Sequence, residues 1–392
     1  MNNEITSASS NEQNAQNPTA KIRNSNLELF RIIAMILIVA HHYVVNSGLT
    51  AADGPIYADP MSWRSLFLLI FGAWGKTGIN CFVLISGYFM CRSNITPKKF
   101  AKLLGEIMLY RIVIGAIFFI SGYAEVSITS ILELLIPIRS IGTGFSSAFL
   151  IFFLCIPFLN ILTRNMNEKQ HIRLLLVCTF TYIFLETVPF FSVTTNYVSW
   201  FTVLYLIASY VRIYPKKCFS STKLWGWLSL ASVLISVLSI VACAWLGAKL
   251  DRNMAYSFVT DSNTFLAVAT GFCSFMFFKN VKIKNSKFIN TVAASSFGVL
   301  LIHANGDTMR QWLWGDLLHN VSMYSSPWLI PYAIGCIVGI YVICTFIDFL
   351  RIKFIEKPFF KLWDKHWDKI AEKYSKTESK ICKKLNIKEN DE

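Results

Sequence analysis

The sequence predicts an all-α protein, a polytopic bundle of membrane-spanning helices. Three observations support this prediction: the composition, the length of the apolar blocks and the distribution of basic residues. Of the 392 residues, 54% are hydrophobic and 15% are charged, whereas soluble domains carry about 25% charged residues. The apolar residues come in blocks of about 20, the length that crosses a hydrocarbon core of about 30 Å. This composition excludes soluble globular, disordered and disulfide-rich secreted proteins.

The apolar blocks predict about ten transmembrane helices. Each block combines hydrophobic side chains with few charges over roughly the length of one span. The predicted spans cover residues 29–47, 65–91, 102–122, 146–163, 172–189, 196–213, 224–248, 264–279, 288–305 and 329–350.

The basic residues predict that both termini face the cytoplasm. With the N-terminus inside, 29 of the 37 Lys and Arg residues fall in inside segments or among the two innermost residues of a span, five fall outside and three fall deeper within spans. Such an asymmetry is the positive-inside pattern of membrane proteins. The net charge of +14 therefore reflects membrane insertion and contact with anionic lipid, and nucleic acid is not an expected partner.

The termini differ from the membrane domain, which we place at residues 25–360. Residues 1–24 are polar and are predicted to form a disordered cytoplasmic tail, and the first twenty contain no Lys or Arg, unlike a signal peptide. Residues 361–392 alternate lysines with acidic and apolar residues and predict a charged, partly helical cytoplasmic tail near the headgroups. The ten cysteines form no C-x-x-C pair, and no metal site is predicted.

The first span carries unusual ionisable groups. Eleven helical steps from Arg31 to His42 rotate the chain by a net of about 20° and rise about 16.5 Å. Glu28, three residues before Arg31, shares this face and can pair with it, whereas His41 points about 80° away. One interpretation is an arginine at the inner headgroups with histidines at the outer interface. The other is an anionic ligand held at Arg31 and proton chemistry at His42.

Further polar residues fall within other spans. Lys76 and Asn80 lie one helical turn apart in a glycine-containing stretch, and they are expected to face one cavity. Arg111 in the third span offers a further phosphate contact. Ser86 is an unlikely nucleophile because no G-x-S-x-G motif surrounds it.

His303 lies near the outer end of the ninth span, at the predicted depth of His42. It could serve in proton transfer, or it could be an ordinary interfacial histidine. The loop that follows carries Asp307, Arg310, Trp312, Trp314, Asp316 and His319. Aromatic rings beside carboxylates suit carbohydrate, but tryptophan is also a common membrane-interface residue.

Together these motifs resemble the acyltransferase 3 family of bacterial integral-membrane O-acyltransferases, which modify surface polysaccharides. The resemblance covers about residues 25–360. Its motifs, in chain order, are Glu28-x-x-Arg31-x(10)-His42, Lys76-Thr77-Gly78-Ile79-Asn80, Ser86-Gly87-Tyr88-Phe89, Pro157-Phe158-Leu159-Asn160, Trp200-Phe201-x-x-Leu204-Tyr205-Leu206, Ser296-Phe297-Gly298-Val299-Leu300-Leu301-Ile302-His303 and Glu356-Lys357-Pro358. One departure is Leu300, where the family pattern leads us to expect tyrosine.

The resemblance implies a membrane-bound O-acyltransferase of the bacterial plasma membrane. The donor would be cytoplasmic acyl-CoA, usually acetyl-CoA, and the acceptor a hydroxyl of a cell-surface or lipid-linked glycan. His42 and His303 would be the catalytic residues, with His42 acting as a general base or as an acyl-accepting nucleophile. His303 would orient the acceptor, stabilise the oxyanion or serve in proton transfer. The residues expected to contact acyl-CoA are Arg31, Glu28, Ser86, Arg111, Lys76 and Asn80.

The guanidinium of Arg31 suits the phosphates of CoA. A pantetheine arm of about 15–20 Å is comparable with the helical separation of Arg31 from His42. Two other functions remain open at this point. One is a multi-pass transporter or flippase of an anionic or glycan substrate. The other is a binding or structural membrane protein.

Overall fold

The computed structural model describes residues 24–141, 144–188, 191 and 195–384. Nearly all of the predicted N-terminal tail, residues 1–23, and the last eight residues of the predicted C-terminal tail lie outside the described residues. The described part of the chain consists of helices joined by loops and contains no strand.

The helices follow one another with short connections. The first nine are α1 (Ser25–Val45), α2 (Pro55–Ala58), α3 (Trp63–Gly72), α4 (Gly75–Met90), α5 (Pro97–Ile120), α6 (Ile128–Leu135), α7 (Phe145–Asn165), α8 (Glu168–Thr179) and α9 (Leu185–Thr187). The others are α10 (Tyr197–Ile213), α11 (Thr222–Leu250), α12 (Phe265–Asn280), α13 (Lys287–Ala294), α14 (Ser296–His303), α15 (Asp307–Arg310), α16 (Asn320–Met323), α17 (Leu329–Arg351) and α18 (Lys357–Lys384). Turns of π-helix cover Phe180–Phe184, Gln311–Leu317 and Ile352–Glu356, and a 3₁₀ turn covers Lys217–Ser220.

The prediction of an all-α membrane bundle is confirmed. Six helical segments of the described chain are long and apolar enough to cross a bilayer, and a seventh forms if α13–α14 and the segment after it are one bent span. That pair bends by 94° after His303. α10 and α12 are shorter apolar helices. Each predicted block coincides with helical structure, but the number of ten spans and the cytoplasmic termini stay predictions.

Helix α1 lies inside the bundle. It packs against α3 and α4, against α12 and α13, and against α14 and α17. Gly78 of α4 permits close approach of the two backbones, because a Cβ there would lie 2.8 Å from the carbonyl oxygen of Ala34 on α1. The polar residues of α1 must therefore find partners on these neighbouring helices.

The start of α1 is anchored to the end of α12 and to α13. Ser25 Oγ donates to Asn290 Oδ1 at 2.9 Å, and Asn26 Nδ2 donates to the carbonyl oxygen of Phe278 at 2.8 Å. Both side chains are buried. These contacts fix where α1 begins, and they set the height of every later residue on that helix.

A buried ion cluster joins α5 to α17. Arg351 pairs with Asp348 and with Glu356, each at 2.7 Å, and with Glu106 of α5 at 3.1 Å. Tyr110 adds a hydrogen bond of 2.8 Å to Asp348. The arginine is 7% exposed. One guanidinium thus contacts three carboxylates inside the protein, and one of these also pairs with a lysine at 2.6 Å. Loss of the arginine leaves buried negative charge.

Replacing this arginine should destabilise the protein strongly. We expect Arg351→Met to lower the free energy of unfolding by about 3–5 kcal/mol, because the carboxylates lose their buried partner. Lys98→Met is the matched control, because it breaks an exposed ion pair between Lys98 and Asp364, which are 2.5 Å apart. It should lower the free energy of unfolding by at most about 1 kcal/mol. Thermal unfolding in detergent measures both, and equal losses would contradict this assignment.

The charge asymmetry gives a topology prediction. A reporter fused after Lys388 should be cytoplasmic, and a reporter inserted near Asp316 should lie on the opposite side, since 29 inside and five outside basic residues direct insertion. Each position is tested with two reporter enzymes, one that is active only in the cytoplasm and one that is active only outside it. Two reporters on the same side of the membrane would overturn the orientation.

Candidate functional site

A cavity of about 870 Å³ opens at the His42 end of α1. Its wall combines polar and apolar side chains from α1, α4, α5, α6, α7, α10, α14 and the segment after α14. The wall residues used below are His41, His42, Lys76, Arg111, Ser130, Glu133, Leu134, Phe145, Tyr197, Leu300 and Arg310. Basic, acidic and imidazole groups thus meet in one space within an apolar bundle, as expected of a ligand site.

The central feature of the site is a pair of histidines. His42 Nδ1 and His303 Nε2 are 3.0 Å apart, although 261 positions separate the two residues in sequence. His303 is fully buried, and its Nδ1 lies 2.6 Å from the carbonyl oxygen of Val299. The sequence placed these histidines at one depth, and the fold brings them into hydrogen-bond contact.

The hydrogen bonds determine the tautomers of the neutral pair. A carbonyl oxygen only accepts, so His303 Nδ1 must carry the hydrogen that it donates to Val299. The Nε2 of a neutral His303 is then an acceptor, and the hydrogen of the pair lies on His42 Nδ1. The remaining nitrogen of His42, Nε2, keeps its lone pair free to act as a base or a nucleophile. His303 therefore acts on His42 by orienting it.

His41 is held differently from its neighbour. Its Nδ1 lies 2.6 Å from the carbonyl oxygen of Gly72, and its ring packs directly over Gly75 at the start of α4. The ring also contributes to the cavity wall. His41 is therefore tied to the backbone of the α3–α4 connection, whereas His42 is tied to a second imidazole.

Basic side chains from three segments reach the same cavity. Lys76 donates to the hydroxyl of Tyr197 at 3.0 Å, and Arg310 pairs with Asp307 at 2.8 Å. Arg111 donates to the carbonyl oxygen of Glu133 on α6. The sequence suggested Lys76 and Arg111 as candidates, but Tyr197 carried no signal beyond an ordinary interfacial aromatic residue.

Arg31 and Glu28 form the expected ion pair, 3.0 Å apart, but lie outside the cavity wall. Arg31 packs over the ring of Phe82, 5.8 Å from its centroid. Phe82 in turn contacts three other phenylalanines, and one of these, Phe145, lines the cavity. The aromatic cluster consists of Phe82, Phe145, Phe149 and Phe297. These rings connect Arg31 to Phe145 at the cavity wall.

Ser86 and Asn80 also lie outside the cavity wall. Ser86 Oγ donates to the carbonyl oxygen of Phe82 at 2.9 Å, within its own helix. Asn80 donates to the carbonyl oxygen of Ser262 at 2.6 Å and accepts from Trp200 Nε1 at 2.9 Å. Asn80 thus joins α4 to α10 and to the start of α12. Leu300 contributes to the cavity wall, so the wall lacks a hydroxyl where tyrosine was expected.

The packing of Gly75 against His41 can be tested. Gly75→Ala adds a Cβ that would overlap the ring of His41, and we expect a loss of about 1–3 kcal/mol in unfolding free energy, as for overpacked cores. Gly105→Ala is the control, because no described atom lies within 4 Å of its added Cβ; it should stabilise α5 by up to about 1 kcal/mol. Thermal unfolding measures both, and an unchanged Gly75→Ala melting temperature would contradict the close packing.

Comparison with known proteins identifies the family. The sequence model of a family described as an acyltransferase domain matches residues 24–348, most of the chain. No curated protein and no solved structure matches the chain. The matched range contains α1, the cavity and both histidines of the central pair. The chain therefore belongs to the acyltransferase 3 family and is a multi-pass membrane acyltransferase.

Proposed function

We propose that this acyltransferase moves an acetyl group from cytoplasmic acetyl-CoA to a hydroxyl of a cell-surface or lipid-linked glycan at the bacterial plasma membrane. The observation that carries the proposal is the hydrogen bond between His42 and His303 at the wall of a cavity. This bond leaves one imidazole nitrogen free where a hydroxyl could enter.

The free Nε2 of His42 supplies the chemistry. As a general base it takes the proton of the acceptor hydroxyl while the oxygen attacks the thioester carbonyl. The C–S bond then breaks, and the leaving thiolate of CoA receives that proton from His42. Alternatively, Nε2 attacks the carbonyl first and passes the acetyl group to the acceptor in a second step. Both routes yield an ester and free CoA, and both need the same lone pair.

The surrounding residues support this role. His303 holds the ring of His42 in one tautomer, as an orienting partner does in other nucleophile–base arrangements. Lys76 and Arg310 lie within electrostatic range of His42. Their positive charges would stabilise the oxyanion that forms on the thioester carbonyl. We therefore assign Lys76 to the reacting end of the site.

The donor would enter from the opposite end of α1. Arg31, with Glu28 holding its side chain, offers a planar donor for the phosphates of CoA. The pantetheine arm would then run about 16.5 Å along α1 to reach His42. This route passes Phe82, whose ring would have to move aside. Contacts of acyl-CoA with Ser86, Asn80 and Arg111 stay predictions.

The family favours acyl transfer over transport. The matched family is one of acyltransferases. The histidine pair has the arrangement of a positioned base, which transport of an intact substrate does not require.

Two variants should separate binding from chemistry. Arg31→Ala should weaken the binding of acetyl-CoA to the purified protein, because a phosphate contact is lost. His42→Ala should retain binding and lower the transfer rate by about 10²–10⁴-fold, the contribution of a positioned general base. Binding to the purified protein and the ester content of surface glycan in cells carrying each variant measure the two effects.

The controls are two other histidines. His171→Gln removes a buried imidazole that contacts the carbonyl oxygen of Leu206, away from the cavity wall, and it should leave transfer intact in folded protein. His41→Ala should be milder than His42→Ala. If His41 is essential and His42 is dispensable, the assignment of the base is wrong. If both are dispensable while Arg31 matters, the protein binds an anion without acyl chemistry.

A further inference from the structure

Helix α6 is a short amphipathic helix at one side of the cavity. Ser130, Glu133 and Leu134 contribute to the cavity wall. At 100° per residue, these three residues lie on the face opposite a row of exposed apolar side chains. That row consists of Ile128, Ile131, Leu132 and Leu135. α6 therefore turns its polar face toward the cavity and its apolar face away from the protein.

The position of α6 along α5 places it at membrane depth. The side chain of Leu134 packs on Gly115, and Arg111 donates to the carbonyl oxygen of Glu133. Gly115 and Arg111 lie five and nine residues before the end of α5, which corresponds to about 7.5 and 13.5 Å along the helix. The end of α6 is thus level with the transmembrane part of α5.

The outer surface of α6 therefore has the character of a lipid-facing surface. α5 also exposes apolar side chains on the surface away from the cavity, namely Ile112, Val113, Ile117 and Ile120. A row of exposed isoleucines and leucines is unfavourable in water but matches hydrocarbon. A helix satisfies its backbone hydrogen bonds within its own segment and is therefore tolerated in contact with lipid, and α6 is helical from Ile128 to Leu135.

α6 is attached to the bundle by few contacts. None of its eight residues, all of them described, is buried. Its packing on α5 rests chiefly on Leu134 against Gly115 and on the Arg111 hydrogen bond, and its start is capped by Ser127 within the same segment. Segments with few buried contacts open at low free energy. α6 is therefore the part of the cavity wall best able to move.

We propose that α6 is a side entrance and that the acceptor is a glycan carrying a lipid anchor, an inference that rests on the proposed acetyl transfer. The lipid chain would remain in the bilayer beyond Ile128 and Leu135, while the sugar passes α6 and presents a hydroxyl to His42. A water-soluble polysaccharide does not match this entrance, because its hydroxyls would pass an apolar surface. A lipid-anchored glycan has an apolar part and a polar part, which match the apolar outer face of α6 and the polar cavity on its other side.

A reversible lock on α6 tests this proposal. The double variant Gly115→Cys/Leu134→Cys places one cysteine on α5 and one on α6. The sulfur of the cysteine at 134 can take the place of Leu134 Cγ, which lies 3.1 Å from a Cβ at position 115. This distance allows a disulfide bond to form. Cysteine at 134 is also shorter than leucine, which leaves room for the new Cβ. Each variant is produced in the bacterium of origin after its own gene for the protein has been deleted. Membranes are prepared from these cells, and radiolabelled acetyl-CoA is added. Label is then measured in a chloroform–methanol–water extract, which dissolves lipid-linked glycans, and in water-soluble polysaccharide.

With the wild type and with the reduced double variant, label should appear first in the chloroform–methanol–water extract and only later in water-soluble polysaccharide. Oxidation should abolish labelling by the double variant, and a reducing agent should restore it. Wild type treated with the same oxidant is the control for the native cysteines. Binding of acetyl-CoA should persist in the oxidised variant, which shows that the locked protein is folded.

Two results would overturn the side entrance: label confined to water-soluble polysaccharide, or undiminished labelling by a fully cross-linked variant. If the double variant fails to bind acetyl-CoA even when reduced, the distribution of wild-type label decides the question. The absence of label from every fraction with wild type would instead contradict the proposed transfer from acetyl-CoA.

Discussion

The site depends on one physical constraint: a helix surrounded by other helices within a bilayer must pair its polar groups with protein, because lipid offers no hydrogen bonds. α1 carries Glu28, Arg31 and two histidines into such surroundings. Glu28 and Arg31 pair with each other, and His41 contacts the carbonyl oxygen of Gly72. His42 instead contacts a second imidazole. That imidazole accepts the Nδ1 hydrogen of His42 and so fixes its tautomer. This difference distinguishes His42 from its neighbour and makes it the best candidate for chemistry.

The rest of the bundle holds that contact in place. Gly75 and Gly78 let α4 approach α1, and this approach carries Lys76 to the cavity. On the other side, Asp348 of the buried ion cluster packs directly against Gly298 of α14. Gly298 lies five residues before His303, so the ion cluster helps to set the register of α14. Packing and electrostatics far from the cavity therefore fix the distance between the two imidazoles.

Much of this architecture could be predicted from the sequence because the bilayer dictates the length of apolar blocks. The spacing from Arg31 to His42 also gave the shared helical face and the pairing with Glu28. The contact between His42 and His303 could not be predicted, since helical periodicity carries no information about partners 261 positions away. For the same reason the sequence grouped Asn80 and Ser86 with Lys76, whereas the fold directs their side chains to helix contacts. The membrane position of α6 could not be predicted either, because a helix of eight residues is too short to be recognised as a membrane span.

The claim that His303 leaves Nε2 of His42 free is tested most directly by nitrogen NMR of the protein in bilayers. The chain has six histidines, so isotope-labelled histidine gives a small set of signals, and His42→Gln and His303→Gln assign the two that matter. At neutral pH we expect His42 to carry its hydrogen on Nδ1, with a coupling across the hydrogen bond to Nε2 of His303. A His42 with its hydrogen on Nε2, or one without any coupling to His303, would contradict the account.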